Sequence, residues 1–311
     1  GLEKVYLQTK AFYDENDITL RTNTRVDTLD PAAHRVVLQN RDEMRYGKLL
    51  LATGGHAWRL PVPGNELAGV FTLRTIEDAD SIREAAQENT QALVIGGSFI
   101  GSEVAASLSK LGANVTMVFL ESRLLERLVP GELSAWLHQK YEKHGIRLVP
   151  NATLESLSGE GAVQHASIQS DGLHILEADL VVMGVGIRLN TELARDAGLD
   201  QNEDGSVIVD QYLRTSDPSI YAAGDITAWP NARFERRLRV EHWDVARQQG
   251  FRAGANMAGE ETPYDVLPYF FSDLFDFSFE VWGDLSEWDR VVLRGSLEES
   301  SFPYYYFDAD R

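Results

Sequence analysis

The sequence QALVIGGSFIGSEVAASLSKLGANVTMVFLE, residues 91–121, decides the fold of this chain. Small and branched apolar residues at 92–95 predict a buried parallel strand. The glycine-rich sequence that follows predicts a tight turn opening into a helix. A second apolar strand, 115–120, ends at Glu121, which stands twenty residues after Gly101. The stretch therefore predicts a strand, turn, helix and strand of an α/β fold.

This order of elements, with an acidic residue at its end, is typical of dinucleotide binding. Backbone N–H groups of the turn meet a pyrophosphate at the helix N-terminus, where the helix dipole favours negative charge. The acid accepts a hydrogen bond from a ribose hydroxyl. The predicted site consists of Gly96, Gly97, Ser98, Phe99, Ile100, Gly101 and Glu121. Ser98 stands where the pattern has its second glycine, and a glycine turn without a ligand stays the alternative.

Glu121 also predicts a preference for NADH over NADPH. A 2′-phosphate near its carboxylate would cost up to ~4 kcal/mol per pair of unit charges at ~4 Å and an effective dielectric constant of ~20. Arg123, two residues further on, would reduce that repulsion. Equal kcat/KM values for NADH and NADPH would contradict the prediction.

Length and composition exclude several classes of function. The chain has 311 residues, 43% of them hydrophobic, which is enough for two or three domains. It contains no cysteine, so disulfides, thiolate metal sites and cysteine nucleophiles are excluded within it. Its seven histidines lack metal-ligand spacing, and no metal is expected. The formal charge of −19 disfavours nucleic acids and anionic membranes as partners.

No apolar run reaches the ~18 residues of a membrane span, and the N-terminal residues lack the apolar core of a signal peptide. We therefore expect a cytoplasmic protein.

Three further apolar segments end in small residues, as strands do at the ligand-binding carboxyl edge of a parallel sheet. They lead to Thr53-Gly54, to Gly184-Val185-Gly186 and to Gly224-Asp225. Between these motifs, apolar periodicity predicts helices at 75–89, 131–143 and 245–257, and short strands at 18–21, 25–29 and 35–38. Turn residues divide 151–178 into an antiparallel meander, and aromatic-rich strands follow residue 263.

The order of these motifs resembles that of the two-dinucleotide flavoproteins, the pyridine nucleotide-disulphide oxidoreductases. The runs Glu241-His242-Trp243 and Pro268-Tyr269-Phe270-Phe271-Ser272-Asp273 resemble the branch of ferredoxin reductases and apoptosis-inducing factors. The resemblance implies an α/β fold with two Rossmann-like dinucleotide-binding domains and a C-terminal α+β interface domain. The implied bounds are 1–69 with 187–262 for FAD, 70–186 for NAD and 263–311 for the interface domain.

In this layout the glycine fingerprint of the FAD domain would precede residue 1, and a closing helix would follow residue 311. We therefore expect a chain truncated at both ends, with an incomplete FAD domain and a partial interface domain.

The resemblance also implies which residues hold the cofactors. FAD would be contacted by Thr53, Gly54, Arg74, Gly224, Asp225, Glu241, His242 and Trp243. Gly184 and Gly186 would complete the NAD site. Glu103 would be the catalytic residue, pairing with a lysine on the flavin side near the site of hydride transfer.

The implied function is transfer of a hydride from NADH to FAD and then of electrons to a ferredoxin- or rubredoxin-type acceptor. Because cysteine is absent, the disulfide route of the family is closed. An apoptosis-inducing-factor-like NADH-binding flavoprotein with slow turnover stays the alternative. The oligomeric state, a homodimer included, stays open.

A cluster of arginines suggests where an acidic iron–sulfur protein would dock. Positive charge of this kind accelerates association with an acidic partner. The alternative is a solvated loop. The cluster consists of Arg233, Arg236, Arg237 and Arg239.

Overall fold

The computed structural model describes residues 6–308. Its helices are α1 (Lys10–Glu15), α2 (Ile76–Ala85), α3 (Phe99–Lys110), α4 (Gly131–Lys143), α5 (Glu192–Asp196) and α6 (Trp243–Met257).

The strands of the first half are β1 (Val26–Asp30), β2 (Arg35–Leu38), β3 (Glu43–Arg45), β4 (Leu49–Leu51), β5 (Gly55–Ala57), β6 (Val70–Thr72), β7 (Gln91–Ile95), β8 (Asn114–Val118), β9 (Arg147–Val149), β10 (Thr153–Ser158) and β11 (His165–Gln169). Those of the second half are β12 (Leu173–Glu177), β13 (Leu180–Met183), β14 (Ile187–Leu189), β15 (Val207–Ile208), β16 (Ile220–Ala222), β17 (Thr227–Asn231), β18 (Arg236–Leu238), β19 (Tyr269–Leu274), β20 (Phe277–Trp282), β21 (Arg290–Leu293) and β22 (Tyr304–Phe307).

A parallel sheet in the order β6-β13-β7-β8-β9 forms the centre of the segment between residues 70 and 183. Helices α2, α3 and α4 cover one face, and the antiparallel meander β10-β11-β12 covers the other. Both faces are buried, which is why β7 and β13 are continuously apolar rather than alternating. Burial of each large aliphatic side chain contributes about 1.5–3 kcal/mol.

A second core joins residues from before and after this sheet. It is built on the parallel pair β4-β16, on β15-β17 and on the antiparallel ribbon β1-β2-β3, with α6 packed against it. The chain leaves this core through β5 and returns through β14, and these two strands pair antiparallel. The two crossings are therefore held side by side.

The C-terminal strands form two antiparallel hairpins, β19-β20 and β21-β22. Leu274 is buried in the core of α3 and α4, with Phe277 and Phe279 packed against it. The first hairpin is therefore anchored on the helices that cover the parallel sheet.

The predicted α/β class and the meander are confirmed, and α4 has the predicted bounds. Helix α2 ends at Ala85, four residues early, because Ala86 is extended and Asn89 adopts a positive φ of 66°. The strand predicted at 18–21 is wrong, and α1 had not been predicted. The domain bounds stay a prediction, and their outer limits, residues 1–5 and 309–311, lie outside the described residues.

Candidate functional site

The glycine turn between β7 and α3 is packed so tightly that side chains are excluded from it. Gly96 has a φ of 115°, which favours glycine. A Cβ atom on Gly101 would overlap the carbonyl oxygen of Gly96, and one on Gly97 would lie 2.9 Å from the ring of Phe119. These glycines bring helix and strand close enough for the turn backbone to face a ligand.

Ser98 fits this turn without strain. Its φ of −89° and ψ of −173° are extended values that any residue adopts, so the second glycine of the pattern is unnecessary here. Ser98 is the N-cap of α3, yet its side chain does not cap the helix. The N–H groups of the first turn are therefore available to an anion, which is what a pyrophosphate site requires.

Gly184 and Gly186 follow the neighbouring strand β13 at the same sheet edge. The Gly184 N–H donates to the Ile95 carbonyl at 2.7 Å, and a Cβ there would lie 3.0 Å from the backbone of Gly101. Gly186 has a φ of 98°. The structure therefore brings these two predicted residues beside the glycine turn.

Glu121 lies just past β8 at this edge, where it forms an ion pair. Arg127 Nη2 lies 3.2 Å from Glu121 Oε1. Arg123, predicted to reduce repulsion there, instead pairs with Glu126, with Arg123 Nη2 3.4 Å from Glu126 Oε1. The effect of Arg123 on a 2′-phosphate therefore stays a prediction.

A second group of predicted residues meets where β4 and β16 end. Arg74 Nη2 lies 2.9 Å from Asp225 Oδ2, although 151 residues separate them, and the Asp225 side chain is only 12% exposed. A Cβ atom on Gly54 would lie 3.2 Å from that guanidinium. Thr53 Oγ1 donates to the Asn190 carbonyl at 2.5 Å, and Asn190 Nδ2 donates back to the Thr53 carbonyl at 3.0 Å.

Gln249 is a site residue that sequence reasoning missed. Its Oε1 accepts from the Gly224 N–H at 2.8 Å, beside Asp225, where Gly224 has a φ of 82°. Its Nε2 is buried without a hydrogen-bond partner among the described residues, and so is Thr227 Oγ1. A buried amide is costly unless it is paired, so this edge fits a polar cofactor that would complete the pairing. The sequence signal that could have identified Gln249 is its position four residues from both Val245 and Ala253, on the buried face of α6.

The two edges are joined by the crossing strands β5 and β14. The Asn190 N–H donates to the Gly54 carbonyl, and the Trp58 N–H donates to the Gly186 carbonyl, both at 2.9 Å. Thr53-Gly54 and Gly186 therefore stand at the two ends of one short ribbon, which connects the two predicted cofactor sites.

Strand β19 provides the other connection between the two groups. Phe270 stacks on His242 with ring centroids 4.0 Å apart and meets the ring of Phe99 at 4.8 Å. On the same face of the strand, Ser272 Oγ donates to Glu103 Oε1 at 2.5 Å. The predicted catalytic carboxylate is thus held by the buried hydroxyl of Ser272, a contact that the sequence did not reveal.

Trp243 and Glu241 flank His242 and are more open. The Trp243 side chain is 64% exposed, with the Arg247 guanidinium 5.7 Å from its ring centroid. Glu241 Oε1 accepts from Arg239 Nη1 at 2.5 Å. An exposed indole at a helix N-terminus is suited to packing against a bound ring.

Burial lowers the pKa of His242 from 6.5 to about 4, against the opposing effect of the Asp225 charge. The unfolded chain protonates His242 near pH 6.5, whereas the folded chain does so only near pH 4. The stability that is present above pH 6.5 is therefore lost as the pH falls toward 4. On acidification to about pH 4, we expect the unfolding free energy of His242→Phe, which keeps a ring against Phe270, to fall less than that of the parent. The difference is at most about 3 kcal/mol, at about 1.36 kcal/mol per pKa unit.

Urea unfolding between about pH 7 and about pH 4 measures this difference. His165→Phe, at an exposed position on β11, is the control and should keep the pH dependence of the parent. Identical pH dependence in the parent and His242→Phe would show that the pKa of His242 is not depressed.

The arginine cluster is not a free basic surface. Arg236 contacts Asp284, Glu287 and Ser286, and Arg237 donates to the Val209 carbonyl at 2.6 Å. Arg239 pairs with Asp204 and Glu241, and Arg233 with Asp265. These charges hold β18 to neighbouring segments, which argues against the predicted docking role.

Replacement of Arg236 is therefore expected to destabilise the fold rather than to change the salt dependence of electron delivery. Arg236→Ala leaves Asp284, whose side chain is 13% exposed, without this partner, and should cost about 1–2 kcal/mol of unfolding free energy. Arg195→Ala, which breaks an exposed pair with Asp196, is the control and should cost under ~0.5 kcal/mol. Similar Tm values for the two variants would count against the structural role.

The comparisons with known proteins agree with this geometry. Residues 2–250 match the family model described as pyridine nucleotide-disulphide oxidoreductase. The chain belongs to this family.

Among curated relatives, the ferredoxin–NAD(+) reductase component of the anthranilate 1,2-dioxygenase system of Burkholderia cepacia is 34% identical over 314 residues, covering 100% of this chain and 75% of the relative. Apoptosis-inducing factor 3 of Mus musculus is 31% identical over 99% of this chain and 51% of its own length. Among solved structures, the covalent putidaredoxin reductase–putidaredoxin complex aligns with a TM-score of 0.94 at 32% identity, covering 100% of this chain and 75% of that one. Among residues 6–308, no helix is both long and apolar enough to cross a bilayer.

Proposed function

We propose that this chain is an NADH-dependent flavoprotein reductase that takes a hydride from NADH and delivers electrons to a small iron–sulfur protein. The observation that carries the proposal is the pair of sheet edges joined by β5 and β14, one with the glycine turn and one with Arg74 and Asp225. The names of the relatives, a ferredoxin–NAD(+) reductase and a putidaredoxin reductase, support the same acceptor class.

The NADH site is assigned to the edge of the five-stranded sheet. First-turn N–H groups of α3 bind the pyrophosphate, and Glu121 accepts the hydrogen bonds of the ribose hydroxyls. Gly184 and Gly186 allow the nucleotide to approach the backbone. These roles follow from the uncapped helix and from the exclusion of side chains around Gly101.

The FAD site is assigned to the edge formed by β4 and β16. When bound, FAD supplies the two-electron acceptor for a hydride from NADH and the one-electron donor for an iron–sulfur centre. Arg74 and Asp225 orient the cofactor through charge and hydrogen bonds, and Thr53 and Gly54 line it. His242 is neutral at pH 7, so together with Trp243 it presents an uncharged aromatic surface.

Glu103 is the proposed catalytic residue because it lies on α3, which begins at the glycine turn, and because Ser272 holds its carboxylate. With no cysteine in the chain, electrons do not pass through a disulfide on these residues. The acceptors that remain are an iron–sulfur protein, another small acceptor or oxygen, and the names of the relatives favour the first. The cytoplasmic location, the domain bounds and the homodimer stay predictions.

The experiment is to incubate the chain with FAD, remove the unbound cofactor, and mix the product with NADH without oxygen. We expect retained flavin absorbance that bleaches on addition of NADH and returns as an oxidised [2Fe–2S] ferredoxin is reduced. Bound flavin that NADH does not bleach would overturn the proposal, whereas a colourless chain that binds NADH would support the expected incomplete FAD domain. Bleaching without ferredoxin turnover would favour the slow, apoptosis-inducing-factor-like alternative.

A further inference from the structure

The loop after β8, residues 121–130, contains donor groups suited to a phosphate. Ser122 offers a backbone N–H and a hydroxyl, and Arg123 and Arg127 offer guanidinium groups. Such donors form short, charge-assisted hydrogen bonds to a phosphomonoester. They adjoin Glu121, the residue proposed to bind the ribose hydroxyls, so a 2′-phosphate on that ribose would lie among them.

Glu126 occupies the donors of Ser122 and Arg123 in the folded chain. Its Oε2 accepts from the Ser122 N–H at 2.7 Å, and its Oε1 accepts from Ser122 Oγ at 2.9 Å. Arg123 Nη2 lies 3.4 Å from the same Oε1. The hydrogen bonds from Ser122 are the main cause that lowers the pKa of Glu126, so the carboxylate is ionised at neutral pH.

The loop itself is fixed above the nucleotide site. The Leu125 N–H donates to the Gly97 carbonyl at 2.9 Å, and Ser134 Oγ donates to the Leu124 carbonyl at 2.5 Å. The remaining cation, Arg127, is 76% exposed and pairs with Glu121. Since the loop is tied to the glycine turn, Glu126 stays beside the ribose end of the site.

We propose that Glu126 is a specificity-determining residue that excludes NADPH by acting as an internal anion on the Ser122 and Arg123 donors. The inference rests on the proposed function, because it takes residues 96–101 and Glu121 as the NADH site. It differs from direct repulsion by Glu121, because here discrimination comes from donors that are already occupied. Removal of Glu126 then creates a site for a 2′-phosphate.

The test measures binding of 2′,5′-ADP and 5′-ADP by calorimetry, a readout that needs no flavin. In Glu126→Ala the ratio of the two affinities should shift toward 2′,5′-ADP by about tenfold or more, the value of one charge-assisted hydrogen bond. Glu126→Gln, which keeps the shape and removes the charge, should shift it in the same direction. Arg123→Ala added to Glu126→Ala should remove most of the gain.

Glu155→Gln is the control for the loss of one negative charge, since Glu155 lies on the meander and accepts from Thr153. Its affinity ratio should equal that of the parent. An unchanged ratio in both Glu126 variants, with 5′-ADP still bound, would overturn this inference and leave the proposed function standing. Absence of 5′-ADP binding in the parent would overturn both.

Discussion

Replacement of Gly101 with valine is expected to abolish NADH binding and to destabilise the sheet around β7. A Cβ atom there would overlap the Gly96 carbonyl oxygen and lie 3.0 Å from the carbonyl carbon, and backbone atoms cannot rotate away. Overpacking of this kind costs about 1–3 kcal/mol or more. The displaced helix would also lose at least two charge-assisted hydrogen bonds to the pyrophosphate, so we expect NADH affinity to fall about a hundredfold or more.

Calorimetry with NADH and urea unfolding measure the two effects separately. Gly254→Ala is the matched control, because a Cβ at this exposed position of α6 meets no described atom within 4 Å. That variant should gain up to about 1 kcal/mol from its better helix propensity and should bind NADH like the parent. Normal NADH affinity in a folded Gly101→Val variant would show that the glycine turn is not the nucleotide site.

Replacement of Arg74 with alanine is expected to weaken FAD binding and to destabilise the edge at β4 and β16. Asp225 would stay largely buried without this counter-charge, which costs about 1–3 kcal/mol. Because Arg74 is itself 40% exposed, solvent screening keeps the cost in the lower half of that range. Loss of one charged contact to the cofactor should reduce FAD affinity about tenfold or more.

Flavin fluorescence titration and urea unfolding measure both quantities. Arg83→Ala is the matched control, since it breaks an exposed pair with Asp80 on α2 and should change neither by a measurable amount. A stable Arg74→Ala variant that binds FAD as tightly as the parent would show that Arg74 is not part of the FAD site. Arg74→Lys should recover only part of the affinity, because a point charge lacks the planar fork of a guanidinium.

The local elements of the fold were predictable where periodicity and turn residues agreed. Helix α4 begins after Pro130 and follows its apolar spacing to Lys143, as predicted. Strand β7 could be identified because its buried run is continuously apolar. Helix α1 was missed because it buries none of its residues and so carries no apolar stripe, leaving only the Thr9 cap as a signal.

The residues of the candidate site could be predicted from the sequence more readily than their hydrogen-bond and ionic partners. Asp225, Gly224 and Arg74 could be selected by their motifs, but the arginine cluster suggested a free surface because sequence shows charges without their counter-ions. The acidic partners of Arg236 are 48 and 51 residues away along the chain. The roles of Gln249 and Ser272 were missed for the same reason, since they depend on contacts with residues 25 and 169 positions distant.

Strand β7, the glycine turn at residues 96–101, α3 and the acid that follows β8 could be predicted from the sequence, because they are set by spacing within about thirty residues. Which charges meet depends on the tertiary structure, which pairs Arg74 with Asp225, Glu121 with Arg127, and Arg123 with Glu126. It also placed Ser272 on Glu103 and Phe270 on His242. The physical reason is that the direction of a long side chain is set by the packing of distant segments and by how a loop folds, neither of which periodicity encodes.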